Sequence, residues 1–89
     1  MFNLQEREFV IKNKTGLHAR PASVFVKKAS SYKSQITLKK GNQTVNAKSI
    51  ISLLSLGAGK GDKITIITEG EDEEIAMTGL LELLDQFDD

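Results

Sequence analysis

The sequence has no cysteine and no tryptophan, and only one proline, one tyrosine and one histidine among 89 residues. Without cysteine there is no disulfide scaffold, no iron–sulfur site and no zinc ribbon. A single histidine excludes a multi-histidine metal centre. No apolar run approaches the ~18 residues that a membrane helix needs, so no membrane insertion is expected. The opening stretch MFNLQEREFV carries two glutamates and no long apolar core, unlike a secretory signal, and a cytoplasmic protein is expected. The length supports one domain spanning 1–89, with a stability of about 5–8 kcal/mol.

The chain also lacks any net charge, but the balance is uneven. Residues 1–61 hold 11 Lys and Arg against 2 Asp and Glu, whereas residues 62–89 hold 1 Lys against 10 acids. A basic half invites a nucleic-acid reading. The lysines, however, come singly or in pairs among strand and helix signals. The one aromatic on an expected strand, Phe9, belongs to the core set, so a base-stacking platform is missing and no nucleic-acid partner is expected. The acidic run Glu71, Asp72, Glu73, Glu74 lacks the interleaved spacing and central glycine of a calcium loop. It reads as the solvated start of a helix, where carboxylates meet the positive end of the macrodipole, and no metal is expected.

Periodicity supplies the elements. Gln5–Ile11 alternates, with Phe9 and Ile11 on one face, and reads as a strand. Lys12–Gly16 is a polar loop. Pro21 stands just inside a helix, where its missing N–H does no harm, and Ala22, Phe25, Val26 and Ala29 form one apolar stripe. Ile36 and Leu38 mark a second strand, Gly41–Asn42 a hairpin turn, and Val45 and Ala47 a third strand. Ser49 is the expected N-cap of the short apolar helix IISLLSL, which Gly57, Gly59 and Gly61 end. Ile64 and Ile66 mark a fourth strand, and Glu71–Phe87 a last helix with Ala76, Leu80, Leu83, Leu84 and Phe87 on one face. The order β-α-β-β-α-β-α with short loops implies an α+β fold, a two-layer open-faced sandwich. Its helices cover one face of a mostly antiparallel sheet. Glu8, Thr37, Lys39 and Thr65 line the other, with Val10 and Ile67 as apolar exceptions.

Most motifs dissolve on inspection. The run Gly57-Ala-Gly-Lys-Gly61 lacks the Ser or Thr of a P-loop after Gly-Lys, and it follows a helix instead of preceding one. A helix C-cap and turn is the better reading. Asn13-Lys-Thr15 and Asn42-Gln-Thr44 match a glycosylation sequon by coincidence. The segment Gly16-Leu-His-Ala-Arg-Pro21 is different. Its histidine, His18, stands where a polar loop becomes a helix, off the apolar stripe, with Arg20 two residues on. The positive end of the helix dipole disfavours an imidazolium there, so a neutral, nucleophilic ring is expected. Phosphate oxygens carried by that ring would meet the helix N–H groups and the Arg20 guanidinium. From the residues alone, a merely capping histidine and a phosphorylated one both remain open.

The helix after Ser49 raises a second point. Ile50, Ile51, Leu53, Leu54 and Leu56 cannot all be buried on one side of so short a helix. An exposed apolar patch beside a reactive group suggests docking, so Ile50, Ile51 and Leu54, with Gly16, are the expected partner-binding residues.

Gly16-Leu-His-Ala-Arg-Pro-Ala22 resembles the active-site motif of the HPr family, the histidine-containing phosphocarriers of the bacterial sugar phosphotransferase system. Lys48-Ser-Ile-Ile-Ser-Leu-Leu-Ser-Leu-Gly57 resembles the family's second signature, around a regulatory serine, in its Gram-positive form. The resemblance covers essentially the whole chain. It implies a four-stranded antiparallel sheet in the order 1-4-2-3 under three helices, with His18 as the residue phosphorylated on Nδ1 and Arg20 as its partner. It implies that enzyme I is the donor and that sugar-specific IIA domains are the acceptors. Ser49 matches the serine modified by an ATP-dependent kinase/phosphorylase and linked to a catabolite-control repressor. Such a protein is a monomeric, stoichiometric carrier, not an enzyme, and holds no cofactor. Crh, a regulatory branch of the family, keeps the serine but lacks the histidine; this chain has both.

Overall fold

The computed structural model describes residues 3–89. Its elements are β1 (Leu4–Val10), α1 (Ala19–Ser30), β2 (Gln35–Lys40), β3 (Gln43–Asn46), α2 (Ile50–Ser55), β4 (Lys63–Glu69) and α3 (Glu73–Gln86). The sheet runs β1-β4-β2-β3 with every neighbour antiparallel, the order expected.

Alternation decides which face meets the helices. Ile64, Ile66 and Thr68 of β4 and Ile36 and Leu38 of β2 are buried beneath α1 and α3. Phe25, Ala22 and Ala29 of α1 and Ala76, Leu80 and Leu84 of α3 close over them. Each fully buried Leu, Ile or Phe side chain contributes about 1.5–3 kcal/mol. Val26, Leu83 and Phe87 are half-buried at the margins of the expected stripes. On the open face the register sets Glu8, Thr65 and Lys39 in one row across three strands. Val10 stands exposed there.

Several boundaries differ from expectation. β1 begins at Leu4 and ends at Val10: one step on in the same register the Ile11 N–H still donates to the Asp62 carbonyl at 2.9 Å, but the Asp62 N–H is turned to Gly59 and the return bond to the Ile11 carbonyl comes from Gly61 at 2.8 Å. Ala47 lies just past β3 yet is fully buried, and its N–H still donates to the Ile36 carbonyl at 2.9 Å.

The last helix starts at Glu73, not Glu71, and its acidic start is not simply solvated. The Asp72 carboxylate accepts from the Lys33 and Ser34 N–H groups at 2.8 and 2.9 Å and from the Ser34 hydroxyl at 2.5 Å. Glu73 is buried, and its carboxylate accepts from the Gly70 N–H at 3.0 Å. Asp72 thus fastens the entry of β2 to the start of α3. The Ser34 hydroxyl and the neighbouring N–H groups hold its carboxyl below the ordinary aspartate range.

Candidate functional site at the start of α1

Four hydrogen bonds, three of them between backbone groups, shape the loop before α1. The Asn13 side-chain amide donates to the Gly16 carbonyl at 3.0 Å, and the Gly16 N–H donates to the Asn13 carbonyl at 3.2 Å. The Leu17 N–H donates to the Ala58 carbonyl at 2.9 Å, and the Gly61 N–H to the Ile11 carbonyl at 2.8 Å. The loop is therefore laced to the glycine run that follows α2. Asn13 is buried by this arrangement, which suits neither a glycan nor a solvated loop.

Gly16 is the tight point. Its φ is +60°, and a β-carbon there would stand 2.5 Å from the Ala58 carbonyl oxygen and 2.6 Å from Gly59 Cα. Only glycine fits both the backbone and the space. Gly16 was expected on the partner surface; it is instead buried, because the two loops close over it. The glycine run is confirmed as a helix stop. Gly57 has φ +64° just past the C-cap Leu56, and its N–H donates to the Leu54 carbonyl at 3.2 Å.

His18 is the N-cap of α1 with extended backbone, φ −79° and ψ −174°. Its carbonyl accepts the first helical bond, from the Ala22 N–H at 2.8 Å, while its side chain makes no capping bond. The residue is exposed, and its ring is uncommitted among the described residues. Pro21, the third residue of the helix, is buried and offers no N–H. Among the described residues the Ala19 and Arg20 N–H groups have no acceptor. No acidic residue sits in the first turn of α1, in contrast to α3. Arg20 is exposed and joins no salt bridge among the described residues. The N-terminal field of this helix is thus left open to an anion.

A shallow depression of about 360 Å³ adjoins the ring, lined by His18, Ala19, Leu54, Gly57 and Ala58 among others. It brings α2 to the side of His18. Ile51 is 78% exposed and Leu54 42% exposed, while Ile50 is half-buried and Leu53 is fully buried. The short helix does turn apolar residues outward, as its composition requires. Ser49 is half-buried at its N-cap and accepts from the Ser52 N–H at 3.3 Å. No group of three or more metal-ligating side chains occurs among the described residues.

With this geometry in hand, comparison with known proteins is decisive. A family profile described as "PTS HPr component phosphorylation site" matches residues 5–86. The chain belongs to the HPr family. It is 48% identical over 82 residues to the phosphocarrier protein HPr of Borreliella burgdorferi, covering 92% of this chain and 95% of that protein. It is 47% identical over 81 residues to the HPr-like protein Crh of Halalkalibacterium halodurans, covering 91% and 96%. Among solved structures, HPr-C-His from Thermoanaerobacter tengcongensis superposes with a TM-score of 0.89 at 49% identity, covering 91% of both chains. A structure described as an HPr dimer from the same organism gives 0.74 at 51% identity, covering 86% of this chain and 88% of that one. The expectation of a monomer therefore has a counter-example among its relatives. The α+β architecture, with its 1-4-2-3 sheet, is that of the HPr family.

What the sequence did not signal is the scaffold under the ring. Ala58 and Gly59 carry the loop, and the glycine run they belong to reads in sequence only as a helix stop. Asn13 carries only a faint signal, a polar residue three before a glycine.

Proposed function

We propose that this chain is a phosphocarrier that accepts a phosphoryl group on His18 from enzyme I and passes it to sugar-specific IIA domains. The observation that carries this reading is the uncommitted His18 ring at the N-cap of a helix whose first turn holds no acid. In each transfer one N–P bond breaks on the donor and one forms on the acceptor ring, Nδ1 here by family resemblance. The carrier is consumed and regenerated and needs no cofactor of its own. Arg20 supplies a fork-shaped cation for the phosphate oxygens. The partners' active sites supply the rest of the transition-state environment. Ile50, Ile51 and Leu54 form the docking patch beside the ring.

Ser49 is proposed as the regulatory phosphorylation site, addressed by the kinase/phosphorylase and read by a catabolite-control repressor. Its position at the start of the patch-bearing helix supports this. The cytoplasm is the compartment in which these partners meet. A second reading, a Crh-like regulator, draws on the similarity to the Halalkalibacterium protein. The presence of His18 favours the carrier.

The test is incubation with enzyme I and phosphoenolpyruvate. Wild-type chain takes up one acid-labile, alkali-stable phosphoryl group and hands it to a IIA domain. The folded His18→Ala variant takes up none. Undiminished labelling of that variant, or no labelling of the wild type, overturns the reading.

A further inference from the structure

The loop that carries His18 hangs on the carbonyl of Ala58, so whatever holds Ala58 also holds the ring. Ala58 lies between two residues that are themselves tied down. The Lys40 ammonium, at the last position of β2, donates to the Gly57 carbonyl at 3.1 Å on one side of Ala58. The Asp62 carboxylate accepts from the Gly59 N–H at 2.8 Å on the other. The same Asp62 oxygen lies 3.2 Å from the Lys40 ammonium, which closes the bracket. The Asp62 N–H returns a bond to the Gly59 carbonyl at 3.0 Å, and its carbonyl accepts from the Ile11 N–H at 2.9 Å. Gly57 and Gly59 have no side chains with which to hold themselves in place. Gly57 has open space around it, and nothing but the Asp62 carboxylate lies within 4 Å of a β-carbon built on Gly59.

We infer that Asp62 and Lys40 are positioning residues for His18, clamping the Gly57–Gly59 segment so that Ala58 presents its carbonyl to Leu17 at a fixed height. Neither touches the ring. Both are partly exposed, with 32% and 38% of the Lys40 and Asp62 side chains accessible, so a purely structural contribution to stability is small. The effect on the ring is geometric. Gly16 already sits at the limit of approach to Ala58 and Gly59, so any drift of that segment must move the loop, and His18 is two residues from the contact. The Gly59 N–H is the main cause that holds the Asp62 carboxyl below the ordinary aspartate range, with Lys40 second. The Gly59 N–H, at 2.8 Å, is also nearer the carboxylate than the Lys40 ammonium, at 3.2 Å.

The inference rests on the phosphocarrier reading for its kinetic consequence, but its structural part is read on the imidazole directly. The experiment uses the full chain with Asp62→Ala, Asp62→Asn and Lys40→Met. It follows the His18 ring resonances by NMR, chemical phosphorylation by phosphoramidate, and transfer from enzyme I. Asp62→Ala removes the acceptor for Gly59. It is expected to shift the His18 ring signals and to slow transfer from enzyme I about 5-fold or more. Asp62→Asn keeps an oxygen acceptor and is expected to restore both to within about 2-fold of wild type. Lys40→Met, which leaves the Asp62–Gly59 bond in place, is expected to give a smaller shift in the same direction, and it serves alone if Asp62→Ala does not fold. Unmoved ring signals in folded Asp62→Ala and Lys40→Met overturn the inference. So does an Asp62→Asn variant as impaired as Asp62→Ala, which would assign the effect to charge. A failure of enzyme I to label even the wild type overturns the phosphocarrier reading instead. The ring signals still decide the clamp.

Discussion

Replacing Gly16 by alanine separates two costs that are usually entangled. The first is backbone conformation: at φ +60° a β-carbon costs roughly 1–2 kcal/mol. The second is space. The new methyl would stand 2.5 Å from the Ala58 carbonyl oxygen and 2.6 Å from Gly59 Cα. Both are backbone atoms and cannot rotate away, and such overpacking adds about 1–3 kcal/mol. Gly57→Ala is the matched control. Its φ is +64°, nearly the same, yet nothing lies within 4 Å of a β-carbon there. It pays the first cost alone. The difference between the two variants is then about 1–3 kcal/mol, which for a chain of this size lowers Tm by about 4–8 °C per kcal/mol. Thermal melts followed by circular dichroism should place Gly16→Ala at least ~5 °C below Gly57→Ala. NMR of the His18 ring should move in the first and stay put in the second. Equal melting temperatures, with the ring unmoved in both, would refute the claim that the two loops meet at Gly16 without room to spare.

Arg20→Ala removes a charge-assisted contact worth about 1.5–3 kcal/mol where it forms, so transfer from enzyme I should slow about 10–100-fold. Arg20→Lys should slow it less, both more than Lys27→Ala, and equal rates in all three would deny Arg20 a role. The depressed Asp72 carboxyl stabilises the fold above the unfolded aspartate value of about 3.9, and that stability is lost as pH falls through the lower folded value. Melting temperatures of the wild type should therefore fall more steeply below about pH 4 than those of Asp72→Asn, and parallel curves would count against the clamp on Ser34. Ser49→Asp keeps an N-cap acceptor, since aspartate caps as well as serine. It should melt near wild type yet accept phosphate from enzyme I about 10-fold more slowly, equivalent to about 1.4 kcal/mol of association; wild-type kinetics would leave Ser49 as a cap and nothing more.

Elements were legible where the signal is local. Pro21, Ser49 and Gly57 each mark a helix end through a property of one residue: a missing N–H, a short acceptor, a tolerance of positive φ. Alternation put Ile36, Leu38, Ile64 and Ile66 on the buried face because a strand has only two sides. The place of His18 at a helix start was legible for the same reason: loop, histidine, arginine and proline lie within six residues. What escaped depends on chain closure. Asp72 reads as one more acid at a helix start, and only the folded chain brings it to the Lys33 and Ser34 N–H groups. Glu73 reads as solvent-facing and is buried because Gly70 turns its own N–H toward it. Gly16 reads as a permissive loop residue. Its burial comes from a contact with Ala58 and Gly59, some forty residues away in sequence.

The site sets a rigid backbone beneath a free side chain. The Leu17 N–H is held by Ala58, the His18 carbonyl is spent on Ala22, and Pro21 is packed into the core, so the main chain around the ring has no slack. The ring itself, the Arg20 guanidinium and the two leading N–H groups of α1 are left without partners among the described residues. Free polar groups at a surface cost little because water serves them, and they stay available to any incoming anion. A carrier must hand over its phosphoryl group as readily as it takes it. An enclosing pocket would hold the phosphorylated form too well, since every bond made to it must be broken on release. A free ring on a fixed backbone at an open helix end suits that requirement under the proposed function, in which the donor and the acceptor complete the site in turn.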